Sequence, residues 1–258
     1  QDKVVIPISN PSAFGATGFD GGDIVEYLQQ GILPSSQNIG DSRGFASAAL
    51  QYDYDAPSGV AREFHVVVPF HNWSGSPTAS MGESADMYVT LALQSTVQFW
   101  ESKLDRVHIT LPASAQPIIN TIKSNLGYIF INRDGPGIQP GSRSYERSWM
   151  RDGSLTSTAL LEFGVQDEVR EYIDWYAKYQ FPSGKIPCVV DTRGGDPVNE
   201  HDSHGQFIYA VMQYYNFTKD TAWMRTKFDI IVKTVRYIQS LRAERKTDVY
   251  KTGTPEQR

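Results

Sequence analysis

The chain has 258 residues, a formal net charge of -5, 40% hydrophobic and 21% charged side chains, a balance that marks a folded globular protein and excludes a disordered one. No basic patch dominates the charge, so nucleic acid is not an expected partner. The single cysteine, Cys188, excludes an internal disulfide and a thiolate zinc site, and its apolar neighbours Ile186, Pro187, Val189 and Val190 mark it as a buried, unreactive thiol.

Residues 1–112 read mainly as β. Val4 to Ile8 is a short apolar run, and Phe64 to Phe70 is β-branched between polar flanks. Met87 to Leu93 alternates weakly, and Val107 to Leu111 alternates up to Pro112. Turn-forming clusters such as Asn10-Pro11-Ser12 and Ser74-Gly75-Ser76-Pro77 separate these runs. A short helix is expected from Asp23 to Gln30, ended by Gly31, and another from Thr96 to Leu104. The expected architecture of this part is a β-sandwich, whole or partial.

Residues 113–258 read as helical. Ile118, Ile119, Ile122, Leu126 and Ile129 recur at helical spacing. A polar loop over residues 132–141 follows, then a helix after Asp152 that stops at Gly164, and another from about Asp167 to Tyr179. Helical spacing resumes with Phe207, Ile208, Val211, Met212 and Tyr215, and again from Trp223 to Leu241. About five helices in hairpin order predict a toroid or bundle. The polar stretch from Lys251 to Arg258 closes no core, so the chain is expected to be a piece of a longer protein. No apolar run is long enough to span a bilayer. Asn72-Trp73-Ser74 and Asn216-Phe217-Thr218 fit the N-glycosylation pattern, one that arises often by chance.

Two polar stretches stand out, each just ahead of a helix. In Tyr145 to Gly153, Arg151 offers a planar fork of donors, Asp152 two acceptor oxygens and Trp149 an apolar wall, a set able to grip vicinal hydroxyls. The plainer reading makes Asp152 a helix cap and Arg151 a surface ion pair, and spacing alone favours it. In Asp196 to Gln206, Glu200 and Asp202 precede a helix whose start is marked by a Ser203–Gln206 capping-box spacing. With His201 and His204 these acids could bind hydroxyls or exchange protons. The spacing fits no established metal-ligand motif, and no metal or cofactor is expected. Here too a capped helix with a solvated acidic lead-in is the plainer reading. A third stretch, Asp191 to Asp196, is glycine-rich but carries neither a phosphate-loop nor a dinucleotide signature. The two helices are second and fourth in order, and in a toroid of antiparallel hairpins alternate helices start at one end. Both polar stretches would then line one mouth.

The run from Gln139 to Gly153, with Glu200-His201-Asp202-Ser203-His204-Gly205, resembles a group of bacterial proteins in the six-hairpin glycosidase superfamily, related to glucoamylases. The resemblance extends to Arg62–Phe70 and Ser124-Asn125-Leu126. It implies a β-sandwich followed by an (α/α)6 barrel of twelve helices, here the first part only, and a carbohydrate substrate in the barrel mouth. It implies that Arg151 and Asp152 hold the terminal sugar and that Asp202 contacts it; Trp149 and His204 join them as substrate-binding candidates from the reading of the residues alone. The catalytic acid of such enzymes lies between the fifth and sixth helices and the base near the last pair, so both are expected outside this chain; Glu256 matches neither. Inversion needs two carboxyls roughly 6.5–9.5 Å apart, and Glu200 would be one of the pair only if this group departs from the glucoamylase plan.

The expected function is therefore hydrolysis of a glycosidic bond in an oligo- or polysaccharide. A polysaccharide lyase using Tyr145 or His204 as base, a glycoside phosphorylase, and a non-catalytic carbohydrate-binding scaffold remain alternatives. A periplasmic or secreted location is favoured over a cytoplasmic one.

Overall fold

The computed structural model describes residues 4–69 and 84–257. The chain divides into two compact units, Gln1–Val97 and Gln98–Arg258. It is a mixed protein of small antiparallel sheets and helices.

The first unit contains β1 (Ile6–Pro7), β2 (Ala13–Thr17), α1 (Ile24–Gln29), β3 (Ser47–Gln51) and β4 (Val66–Val67). β1 pairs with β4, Ile6 facing Val67, and β2 pairs with β3 along its whole length, Ala13 facing Gln51 and Thr17 facing Ser47. Asp23 caps α1, its carboxylate accepting from the Val25 N–H at 2.9 Å, which satisfies one of the free donors at a helix start. The expected helix from Asp23 to Gln30 is thus present. Each of these sheets has two strands among the described residues.

Helix α2 (Ala85–Leu104) takes in Met87 to Leu93, expected as a strand. Its seven residues alternate by chance, but no Gly or Pro breaks the stretch before Leu104, and length decides for helix. Val107 to Leu111 forms no strand either, since among the described residues no segment offers it a ladder of hydrogen bonds. The strand expected over Phe64 to Phe70 reduces to β4; Phe70, Asn72-Trp73-Ser74 and the Ser74 to Pro77 turn lie outside the described residues.

The second unit is built from α3 (Gln116–Asn132), β5 (Ser148–Trp149), α4 (Met150–Glu162), α5 (Gln166–Tyr176), β6 (Val189–Asp191), β7 (Gly194–Gly195), α6 (Asp202–Thr218), α7 (Thr221–Glu244) and α8 (Asp248–Thr252). α4 and α6 lie side by side and parallel. Ser154 donates to the Gln206 amide oxygen at 2.6 Å, and one turn on Thr158 lies 3.2 Å from the Tyr209 hydroxyl, so both helices advance together. Each is followed by an antiparallel partner. α5 returns along α4, bringing the Tyr172 hydroxyl to the Trp149 carbonyl at 3.4 Å. α7 returns along α6, with Trp223 against Tyr214 at one end and Tyr237 against His204 at the other.

The core follows from these pairings. Met150, Leu160, Val169, Tyr172, Ile173, Tyr176, Phe207 and Val211 are buried on the facing stripes. Each large apolar side chain so removed from water contributes about 1.5–3 kcal/mol. A polar anchor joins the end of α2 to α5: Glu168 is buried and accepts from Lys103 and from both terminal nitrogens of Arg106. Burial alone would raise the Glu168 pKa, but the hydrogen bonds from Lys103 and Arg106 outweigh it and hold the carboxyl ionised. Gly164 ends α4 at φ +72°, a conformation glycine adopts without steric cost. Among the described residues no helix is long and apolar enough to cross a membrane.

Among the described glycines, Gly153 leaves the least room for a side chain. A Cβ there would stand 2.0 Å from the Tyr172 hydroxyl and 2.4 Å from its ring carbon, and Tyr172 is fully buried with nowhere to go. Gly153→Ala should therefore destabilise the protein by about 1–3 kcal/mol or more in urea unfolding. Gly205→Ala is the control. Gly205 sits in the first turn of α6 with open space around it, and its replacement should be neutral or stabilise by about 0.4–1 kcal/mol. Equal effects at the two positions would contradict this account of the helix contact.

Candidate functional site

The polar ends of the helices meet at one end of the second unit. β5 pairs with β6, Ser148 facing Val190 and Trp149 facing Val189, and β6 pairs with β7. This three-stranded sheet hands the chain directly into α4, with the Met150 N–H bonded to the Cys188 carbonyl at 2.9 Å. Because the helix starts at Met150, Asp152 lies within its first turn and does not cap it. The Ser203–Gln206 capping box does not form either. Ser203 is inside α6, and Gln206 spends its amide oxygen on Ser154 of α4. A bond between helices has replaced the expected bond within one.

Arg151 bridges the starts of α4 and α6. Its Nε donates to Asp202 at 2.5 Å and its Nη2 to Glu200 at 3.0 Å. The hydrogen bond with Asp202, reinforced by the Coulomb attraction, raises the arginine pKa, and the same bond holds the Asp202 carboxyl below the usual range. Arg151 is half exposed at 52%, with Glu200 at 34% and Asp202 at 37%, so a ligand can reach all three side chains. Asp152 is half-buried one residue on, and its carboxylate has no hydrogen-bond or ion-pair partner among the described residues. It is not paired with Arg151. The structure thus joins Arg151, Glu200 and Asp202 in one cluster and leaves Asp152 beside it in sequence with its acceptors unspent.

Trp149 is half-buried in β5, and the Arg147 guanidinium stands 5.6 Å from its ring centre. The indole N–H is buried with no hydrogen-bond partner among the described residues. His204 is buried and 1% exposed, in the first turn of α6. Its Nδ1 accepts from the Ile186 N–H at 3.2 Å, so the neutral ring carries its proton on Nε2, which is buried and unpartnered among the described residues. The imidazole therefore ties the loop before β6 to α6, and its ring stands edge-on to Tyr237. Tyr145 is exposed in the turn ahead of β5.

A second network was hidden in the sequence by distance along the chain. Arg147 donates to Asp191 at 2.8 Å and to Asp196 at 2.9 Å, across the β6–β7 hairpin. The Asp191 carboxyl is pulled well below the ordinary range, chiefly by Arg193 and also by Arg147. Asp196 is lowered by the Val198 backbone N–H and by Arg147. The sequence signal was a lone arginine in Tyr-Glu-Arg and an acid at each end of a glycine-rich loop. Among the described residues no group of three His, Cys, Asp or Glu side chains is arranged to hold a metal ion. Cys188 is buried, and burial pushes its thiol pKa up, away from reactivity.

No protein family, curated protein or solved structure matches the chain.

His204 gives the site a pH signature. Burial, with smaller contributions from His201 and Lys185, lowers its pKa from 6.5 to about 4. Between those values the unfolded chain binds a proton that the folded one does not, so stability is retained above pH 6.5 and falls toward pH 4. The slope from this residue approaches about 1.4 kcal/mol per pH unit. In His204→Gln that component should vanish. Urea unfolding of both proteins at about pH 7 and about pH 4.5 should show a smaller acid loss in the variant, and equal losses would remove His204 from the account.

Proposed function

We propose that this chain is the sugar-gripping part of a glycoside hydrolase-like protein acting on oligo- or polysaccharide. The observation that carries the reading is the exposed Arg151 fork held between Glu200 and Asp202 at the paired starts of α4 and α6. A sugar diol needs donors and acceptors fixed a few ångströms apart, and this cluster supplies both, with the free Asp152 carboxylate one residue away. A cluster already organised before the ligand arrives loses little entropy on binding.

The wider architecture that fits this reading is the six-hairpin toroid preceded by a β-sandwich. The toroid is supported by the parallel contact of α4 with α6 and the antiparallel return of α5 and α7, the repeat expected of inner and outer helices in such a ring, while the β-sandwich rests on the resemblance alone. Hydrolysis as the reaction rests on the resemblance of residues 139–153 and 200–205 to six-hairpin glycosidases. In this cluster Glu200 and Asp202 are both engaged by one guanidinium, which leaves each carboxylate an oxygen to accept from a sugar hydroxyl. That pairing also favours a second reading, a carbohydrate-binding scaffold without its own catalysis. A lyase base at His204 has no such support, since Nδ1 is spent on Ile186 and Nε2 is buried.

The test is calorimetric titration of the protein with neutral gluco-, manno- and xylo-oligosaccharides. Arg151→Ala and Asp152→Ala should each weaken sugar binding by about tenfold or more, about 1.4 kcal/mol, with the folded state intact by circular dichroism. Unchanged affinity with lowered stability would make the cluster a helix-end brace and sink the proposal.

A further inference from the structure

The groove between the β6–β7 hairpin, the 134–147 loop and the C-terminal end of α5 is separate from the Arg151 cluster and has no role so far. It encloses about 700 Å³. Trp175 and Tyr179 line it, their rings 5.3 Å apart and nearly perpendicular. Gly137 lets the loop lie against this wall, since a Cβ there would stand 3.2 Å from the Asp134 carbonyl and 3.4 Å from the Trp175 ring. The Arg147 bonds to Asp191 and Asp196 brace the opposite side.

Much of the polar lining is unspent. The Asp134 and Glu146 carboxylates, the Gln139 amide, the Trp175 indole N–H and the Tyr179 hydroxyl have no hydrogen-bond partner among the described residues. The lining therefore offers both donors and acceptors beside aromatic carbon. Three carboxylates (Asp134, Glu146, Asp191) face two guanidiniums (Arg147, Arg193), a formal excess of one negative charge that repels anions. Flat apolar surface flanked by mixed donors and acceptors, with no excess positive charge, suits the face and rim of a neutral sugar ring.

We infer that this groove is a second subsite for a neutral sugar unit, so that the ligand is an uncharged oligosaccharide and not a monosaccharide or an acidic glycan. The inference rests on the reading of the Arg151 cluster as a sugar site. The Tyr176 hydroxyl, 3.1 Å from the Pro187 carbonyl, and the Tyr172 hydroxyl at Trp149 place the end of α5 at the end where α4 and α6 begin. Arg147, at the edge of the groove, stands four residues before Arg151 in the chain.

The experiment is calorimetric titration with glucose, mannose and xylose, with their longer oligomers, and with oligogalacturonate as the acidic probe. The expected result is an oligomer bound about tenfold more tightly than its monosaccharide, a gain that Trp175→Ala and Glu146→Ala each cut to about threefold or less while the monosaccharide affinity stays unchanged. Trp175 packs on Tyr172 and Tyr176, so Glu146→Ala, at an exposed and unpaired side chain, carries the test should Trp175→Ala fail to fold. Three results would overturn the inference. If Arg151→Ala abolishes binding but the oligomer gain survives Glu146→Ala and Trp175→Ala, the groove is no subsite and the first site stands. If oligogalacturonate binds best, the neutral-sugar assignment fails. If no neutral sugar binds, the groove and the Arg151 reading fall together.

Discussion

The parallel contact of α4 with α6 is the constraint on which the second unit depends. It is close where α4 presents the small, buried Ser154, whose hydroxyl donates to the Gln206 amide oxygen of α6. It is specific because Thr158 also meets Tyr209 one turn on, while on the α5 side of α4 Tyr172 fills the space left by the missing Cβ of Gly153. Two parallel helices beginning together also set two positive dipole ends side by side, which is unfavourable unless anions gather around them. Asp152 and Asp202 in the first turns and Glu200 just ahead supply those anions. Arg151 then holds Glu200 and Asp202 together and limits their mutual repulsion.

This electrostatic balance explains why the same residues suit a ligand. A cluster that exists only to neutralise helix ends needs acids alone. Here an arginine fork is added and half exposed, while Asp152 keeps its oxygens free among the described residues. Arg151, Asp152 and Asp202 are thereby offered to solvent from the first turns of two packed helices, with Glu200 on the loop just ahead of α6 held to them through Arg151. The β5–β6–β7 sheet strengthens that frame by fixing the residue at which α4 starts.

The helices of the second unit were legible because apolar residues recur at helical spacing, Ile118, Ile119, Ile122, Leu126 and Ile129 in α3 and Phe207, Ile208, Val211, Met212 and Tyr215 in α6; of these Ile119, Leu126, Phe207 and Val211 are buried, while Ile118 and Met212 are exposed. Met87 to Leu93 was not, because seven residues can alternate by chance and only the unbroken length to Leu104 reveals the helix. The shared end of the two polar stretches could be inferred from helix order, and Arg151 does meet Glu200 and Asp202 there. Cap assignments failed for a physical reason: β5 pins the start of α4 at Met150, and the inter-helix bond to Ser154 takes Gln206 out of its capping box. The Arg147 network and the groove of Trp175 and Tyr179 could not be read from spacing, since each joins side chains that only tertiary structure brings together.

The central claim is that the start of α4 and α6 is where sugar is held. A crystal structure of the protein grown with a neutral oligosaccharide tests it most directly. The account predicts sugar hydroxyls within hydrogen-bond distance, about 2.7–3.2 Å, of Arg151 and of at least one of Asp152, Glu200 and Asp202. Sugar bound elsewhere, with the Arg151 cluster in contact with solvent alone, would contradict it.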